Sequence, residues 1–251
     1  VFNGVAAMRA RGNEVGDDFD LFVDATPVVS GVENEFNAGE YEVSEEGPDG
    51  YSVSFEGDCD DEGIVELLPG DDKTCTIIND DVPPTIKLIK EVITDDGGDA
   101  IPEDFTLLLD DEEVGSGEEV GVTANEEHTI DEEGIAGYQF SSIEGEGCPN
   151  ELGDFVTLDE GEELVCTIVN DDIAPKLTVI KKVINDDLGE KDVGDFHLFV
   201  DATEVVSGVE NEFDAEAHVV SETPDPLYTT TISGDCDEDG NIVLNLGDVK
   251  E

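Results

Sequence analysis

A lysine in the apolar phase of a strand needs a chemical reason, and this chain has two. In TIKLIKEVITDDG (85–97), Ile86, Leu88, Lys90 and Val92 share one phase of a period-two pattern. In KLTVIKKVINDDLG, from Lys176, the residues Leu177, Val179, Lys181 and Val183 do the same. Lys87 and Lys182 take the opposite, solvated phase. The chain has only ten basic residues, and these two runs hold half of them. A free ammonium among apolar side chains is costly, so each lysine must meet an acid or another hydrogen-bonding group. The same phase argument supplies candidates. In EHTIDEEG, His128, Ile130 and Glu132 align, and in the related YEVSEEG so do Tyr41, Val43 and Glu45. In the last apolar runs Cys166, Ile168 and Asn170 share a phase, as do Cys75, Ile77 and Asn79. One stretch of chain therefore turns Lys90, Glu132 and Asn170 toward its core, where they can form a buried hydrogen-bond network.

Two other chemistries are written in the side chains. Cys59 and Cys75, and again Cys148 and Cys166, occupy equivalent places, the second of each pair opening the last strand. An internal disulfide is the natural reading, and it implies an oxidising, extracytoplasmic setting. Zinc is the alternative, with no Cys-x-x-Cys or histidine partner to support it. Separately, DCDEDGNI (235–242) fits the first half of an Asp-x-Asp-x-Asp-Gly calcium loop through Asp235, Asp237 and Asp239, and Asp58, Asp60 and Glu62 are the earlier counterpart. No glutamate closes either loop at its twelfth position, as an EF-hand requires, so a solvated acidic hairpin competes with calcium. The Asp-Asp runs at 80–81, 95–96, 171–172 and 186–187 offer further oxygen ligands for a cation. No other cofactor is implied. No Gly-x-Ser-x-Gly, His-Glu-x-x-His or phosphate loop occurs, and carboxylate pairs are too common for one to mark a catalytic dyad, so an enzyme is not expected.

The elements that must position these groups come from repetition. LFVDATPVVSGVENEF (21–36) recurs with one substitution as LFVDATEVVSGVENEF (198–213), CTIINDDVPP (75–84) as CTIVNDDIAP (166–175), and GDCDDEG (57–63) as GDCDEDG (234–240). A diverged copy, DFTLLLDDEEVGSG, stands between them. Three repeats follow, 1–83, 84–174 and 175–251, joined at Asn-Asp-Asp-x-x-Pro. Their apolar runs are short, alternate with polar residues and stop at Gly, Asp, Asn or Pro, which is strand punctuation. The second repeat predicts seven strands, 85–94, 104–110, 118–123, 127–132, 137–144, 153–158 and 164–170, and no helix is expected anywhere. That count predicts an all-β chain of tandem Ig-like or transthyretin-like sandwiches, held in a stiff row by short Pro-containing junctions.

Composition narrows the partners. With 68 acidic residues and a formal charge of −58, the chain would repel nucleic-acid phosphates and anionic membranes. A salty environment, divalent cations or a surface polymer fit such a charge, because salt screens the self-repulsion. No apolar span predicts membrane insertion of this segment.

The patterns LxKxV, YEVSEEGPDGY (41–51) and a terminal CTIxND resemble the prealbumin-like, Cna-B or SpaA-type repeats of bacterial or archaeal surface proteins and pili. The resemblance covers nearly the whole chain. It implies that a first-strand lysine joins a last-strand asparagine through an intramolecular isopeptide bond, assisted by a central acid: Lys90, Asn170 and Glu132 in the second repeat. Burial lowers the lysine pKa and frees its lone pair, a buried protonated acid polarises the amide, and ammonia leaves. The other repeats hold partial sets. The first keeps Glu45 and Asn79 but offers only Arg9 and Arg11 where the lysine belongs, and a guanidinium stays charged. The third keeps Lys181 and Glu222 without an asparagine strand, and by spacing the partner of Cys236 would follow Glu251. A missing first strand at one end and a missing last strand at the other predict fragment boundaries or strand exchange along a fibre. The implied function is the structural stalk of an extracellular surface protein or pilus-like filament whose partners are neighbouring copies or flanking repeats. An adhesin module, or a calcium-dependent cell-surface binding protein, is the alternative.

Overall fold

The computed structural model describes residues 19–251 in full and residues 3–10 as a backbone strand. The alternating runs form strands in three successive sets. The first is β1 (Asn3–Ala10), β2 (Asp20–Val23), β3 (Thr26–Val28), β4 (Glu33–Asn34), β5 (Gly39–Glu46), β6 (Tyr51–Gly57), β7 (Ile64–Leu67) and β8 (Asp72–Asp81). The second is β9 (Thr85–Ile93), β10 (Thr106–Leu109), β11 (Glu112–Val114), β12 (Glu119–Gly121), β13 (Glu127–Glu133), β14 (Tyr138–Glu144), β15 (Phe155–Thr157) and β16 (Glu163–Asp172). The third is β17 (Lys176–Thr178), β18 (Leu198–Val200), β19 (Thr203–Val205), β20 (Glu210–Glu212), β21 (Ala217–Glu222), β22 (Asn241–Val243) and β23 (Val249–Lys250).

Each set makes two sheets of the same plan. Their orders are β4-β1-β8-β6 with β3-β2-β5-β7, β12-β9-β16-β14 with β11-β10-β13-β15, and β20-β17-β23 with β19-β18-β21-β22. The second repeat has eight strands where the periodicity predicts seven. The addition is β11, a three-residue strand too short to show alternation, folded back on β10 with Leu109 opposite Glu112. Two short 3-10 turns, Pro102–Asp104 and Val193–Asp195, precede β10 and β18. A first strand does exist in the first repeat: β1 runs parallel to β8, with Met8 opposite Ile77 and Ala10 opposite Asn79. Arg9 lies on this strand opposite Ile78, and Arg11 falls outside the described residues.

By contact density the chain divides into two compact units. One comprises Val1–Lys87, Glu119–His128 and Phe155–Leu164, and the other Leu88–Glu118, Thr129–Asp154 and Val165–Glu251. In the first unit Leu21, Val23, Val43, Val65 and Leu67 of one sheet close on Cys75 and Ile77 of the other. In the second unit Leu177 closes on Leu198, Val200, Val220, Ile242 and Leu244. Each such side chain contributes about 1.5–3 kcal/mol by leaving water, so these seams hold the sheets together. Among the described residues no helix is long and apolar enough to cross a membrane.

A repeated aspartate shapes each hairpin. Asp24, Asp110 and Asp201 adopt positive φ after β2, β10 and β18, and each accepts a hydrogen bond through Oδ1, from the backbone N–H of Glu42, Thr129 and Val219. A short acceptor side chain tolerates this backbone region and ties the turn to the next strand. Gly57 (φ 98°) and Gly145 (φ 137°) have a steric reason as well. A Cβ on either would come within 2.4 Å of a backbone oxygen of the last strand, which is also why glycine shortly precedes each first cysteine.

His218, at the position of Tyr41, is buried with Nδ1 2.7 Å from Asp201 Oδ2 and Nε2 2.9 Å from the Asp214 carbonyl. Burial pulls its pKa down, but the Asp214 carbonyl and the Asp201 and Glu216 carboxylates outweigh this and hold it above the usual 6.5. A raised pKa stabilises the fold fully below the unfolded value and is lost as pH rises through the folded one. Melting curves taken across neutral pH are therefore expected to show a loss of stability on the alkaline side, and His218→Phe to flatten it. An unchanged slope in the variant would refute the assignment.

Candidate functional site

The second repeat assembles the three residues that share the apolar phase. Lys90 comes from β9, Glu132 from β13 opposite Leu107 of β10, and Asn170 from β16 opposite Phe140 of β14. The Lys90 Nζ lies 2.7 Å from Glu132 Oε2, and both side chains are essentially excluded from solvent, at 0% and 1% exposure. The same ammonium donates to Asn170 Oδ1 at 2.8 Å and to the Ile168 carbonyl at 3.3 Å. The Asn170 amide in turn donates from Nδ2 to Glu132 Oε1 at 2.6 Å. Glu132 thus bridges the amine and the amide, one oxygen on each. Desolvation pushes the Lys90 pKa below its ordinary value, against the opposing pull of Glu132.

Sequence reading missed two supports of this lysine. The Phe105 ring lies 4.4 Å from Nζ and packs edge-on against Tyr138 at 5.7 Å. Ser116 Oγ accepts from the Lys90 backbone N–H at 3.0 Å, where β12 has not yet joined the edge of β9. A signal was present: Asp-Phe precedes β2, β10 and β18, and Phe19, Phe105 and Phe196 are all buried against a tyrosine, Tyr51, Tyr138 and Tyr228.

The partial sets keep parts of the same geometry. In the first repeat Glu45 stands opposite Leu21, as Glu132 stands opposite Leu107, and Asn79 donates to Glu45 Oε2 at 3.1 Å. Asn79 is fully buried, and its Oδ1, the atom that in Asn170 accepts from lysine, has no hydrogen-bond partner among the described residues. Desolvation raises the Glu45 pKa, its hydrogen bond from Asn79 only partly opposing this. In the third repeat Glu222 keeps the register, opposite Leu198, and Lys181 Nζ meets its Oε2 at 2.6 Å beneath the Phe196 ring, 4.3 Å away. The Thr230 hydroxyl donates to Glu222 Oε1 at 2.5 Å, the place the Asn170 amide takes on Glu132.

Both cysteine pairs are disulfides, Cys59–Cys75 and Cys148–Cys166, with Cα atoms 5.3 and 5.8 Å apart, while Cys236 is free. The aspartates read as possible calcium ligands accept hydrogen bonds within their own loops. Asp58 Oδ2 accepts from Thr74 N, Asp60 Oδ1 from Glu62 N and Ile64 N, Asp235 Oδ2 from Glu251 N, and Asp237 Oδ1 from Asp239 N and Asn241 N. The side chains of Glu62 and Asp239 do not join them in a ligand group among the described residues, where the carboxylates that converge within 4.8 Å are those of Asp95, Asp171 and Asp172. Asp172 is itself engaged, accepting from the backbone of Asp96 and Gly98.

Comparison with known proteins bears on the fold. Among solved structures the chain is similar to the Bacillus anthracis TIE protein, at 16% identity and a TM-score of 0.43, over 100% of this chain and 49% of that one. It therefore spans about half the length of that structure. The major pilin protein T-13 of Streptococcus pyogenes matches at 14% identity and a TM-score of 0.26, over 68% of this chain and 96% of the other. The pilus adhesin SpaC of Lactobacillus rhamnosus GG matches at 15% identity and a TM-score of 0.27, over 98% and 38%. No curated protein matches the chain. A family model described as a prealbumin-like fold domain matches residues 12–77 and again 81–168. Those two segments cover more than half of the chain, take in the register-matched Glu45 and Glu132, and show that this chain belongs to the prealbumin-like fold domain family.

Proposed function

We propose that this chain is a structural repeat region of an extracellular surface protein or pilus-like fibre, built of three sandwich repeats at 1–83, 84–174 and 175–251, and that the second closes its first strand onto its last with an isopeptide bond. The observation that carries this reading is the buried Lys90–Glu132–Asn170 network, in which one carboxylate touches both the amine and the amide. The chemistry balances within the site. The Lys90 amine attacks the Asn170 side-chain carbonyl carbon, Glu132 accepts the proton that the amine gives up and delivers it to the departing nitrogen, and one ammonia leaves per bond made. Lowering of the Lys90 pKa by desolvation supplies the neutral amine, and exclusion of water protects the amide from hydrolysis.

Such a bond suits a stalk. First and last strands lie at the two ends of a repeat in sequence, so a pull along the chain acts on both, and a covalent tie between them carries that pull without unfolding. The two disulfides fit an oxidising, extracellular setting. The chain would act on itself once and turn over no substrate. Neighbouring copies or flanking repeats would be its partners.

Intact mass after reduction tests the bond. The expected result is the loss of one ammonia, mapped by peptide sequencing to Lys90 joined to Asn170, and abolished in Glu132→Ala. An unshifted mass in protein held at mildly alkaline pH, where more of the amine is neutral, would reduce the site to a hydrogen-bond network.

A further inference from the structure

The outward face of one sheet changes character between repeats. In the first repeat the sheet β3-β2-β5-β7 turns Leu21, Val43 and Val65 into the core, so that Phe22, Glu40, Glu42 and Glu66 point outward. Glu40 stands directly opposite Glu66, and like charges so placed repel. In the third repeat the same register sets Ala217 opposite Val243. The correspondence is anchored by Phe22 opposite Ser44 in one and Phe199 opposite Ser221 in the other. Glu40, Glu42 and Glu66 thus give way to Ala217, Val219 and Val243, and Asp20 at the rim to His197. The second repeat is intermediate, with Glu127, Thr129 and Thr157 in these places.

Val219 and Val243 are 43% and 58% exposed, with Phe199 half-buried beside them. These three lie on one diagonal across β18, β21 and β22, so they form a contiguous patch and not scattered side chains. The same face is open in the first repeat, where Glu40, Glu42 and Glu66 are exposed, so the exposure belongs to the sheet's place in every repeat. What was removed identifies the occupant. A basic partner would be held better by the glutamates of the first repeat. An acidic partner is the one those glutamates turn away, and this chain, at −58, is itself such a partner. The rim keeps the same condition. Glu204, which replaces Pro27 beside the phenylalanine, is met by His197 Nδ1 at 2.6 Å.

We propose that the outward face of β18, β21 and β22 is a self-association surface, on which the same face of a second copy of this chain packs about a twofold axis. Val219 and Val243 of each copy meet those of the other. The proposal rests on the stalk reading for its biological setting, where it joins neighbouring fibres side by side. The association itself is measured whether or not Lys90 and Asn170 are joined, so either can fail alone. The patch is small against the roughly 1,200 Å² that stable complexes bury, so one contact is weak and many along a fibre reinforce one another. Repulsion between the remaining acids sets the condition for pairing. The screening length falls from about 8 Å at physiological salt to about 3 Å at 1 M, so pairing strengthens as salt rises.

Sedimentation velocity of the whole chain tests this, in a Cys236→Ser background that keeps disulfide-linked dimers out of the reading. A concentration-dependent dimer is expected to grow as sodium chloride is raised from about 0.1 M to about 1 M. V219E/V243E puts back the acids of the first repeat at two exposed positions, where substitutions leave the fold nearly as stable. It should weaken the dimer at least about tenfold at equal salt, with the melting temperature kept. The converse variant E42V/E66V should give the first repeat the same patch and carry assembly beyond the dimer. A chain that stays monomeric at every salt concentration would overturn the proposal and leave the face to an uncharged partner or to none. So would equal association of the parent and V219E/V243E, because the contact would then lie elsewhere on the surface.

Discussion

Lys90→Met is expected to destabilise the second repeat by about 3–5 kcal/mol, because it leaves the Glu132 carboxylate uncompensated in a site closed to water. For a repeat of this size that corresponds to a fall in melting temperature of roughly 12 °C or more. The cost comes from the stranded charge rather than from lost attraction. The triple variant K90M/E132L/N170L, which removes the charge, the acid and the amide together, should therefore recover most of the loss. Lys87 is the internal control. It sits on the same strand in the opposite phase, with its side chain 34% exposed and its ammonium 3.3 Å from an exposed Glu119. Lys87→Met should change stability by less than about 1 kcal/mol, as exposed ion pairs do. Similar effects for the two variants would mean that the burial of Lys90 is wrong. The comparison is made on chains in which the isopeptide bond has not formed, because once Lys90 is an amide the parent holds no ammonium there and neither variant can regain the crosslink.

Removing the Cys148–Cys166 bond by C148S/C166S is the second large effect, expected at about 3 kcal/mol. The bond closes a loop with a sequence separation of 18, and opening it returns that loop's freedom to the unfolded chain. It also replaces Cys166, a fully buried residue in the apolar phase of β16, by a hydroxyl that must find a partner there. Thermal melting with and without reductant checks it. Reductant should lower the transition of the second repeat in the natural chain and leave it unmoved in the variant, the Cys59–Cys75 bond of the first repeat opening equally in both, while Cys236→Ser should melt like the parent because Cys236 has no bond to lose. A variant as stable as the parent would show that the network and core already fix β16 without the disulfide.

Much of the site could be read because strands obey a period of two. That rule put Lys90, Glu132 and Asn170 in apolar phases and Lys87 in the opposite one; the first three side chains are buried, and Lys87 is partly exposed beside Glu119. The cysteine pairs and the all-β class were equally legible, since spacing repeated across copies of one unit reports the same fold more than once. The hairpin strand β11 was not, because three residues are too few to show a period. Nor was the place of Asp24, Asp110 and Asp201, whose turn geometry depends on an N–H that another strand delivers from 18 or 19 residues away. The part of Phe105 was hidden for the same kind of reason: its ring can meet Lys90 only after a loop of more than ten residues has folded back.

What the amino acids alone established is which side chains leave water, because alternation is local and each residue carries its own phase. What only the tertiary structure decided is which of them meet. Lys90 and Asn170 are 80 residues apart, and their 2.8 Å contact depends on strand order and register, set by backbone hydrogen bonds between strands and not by either residue's neighbours. The same register sets Asn79 against Glu45 and Lys181 against Glu222 in the other repeats, pairings that no single stretch of sequence contains.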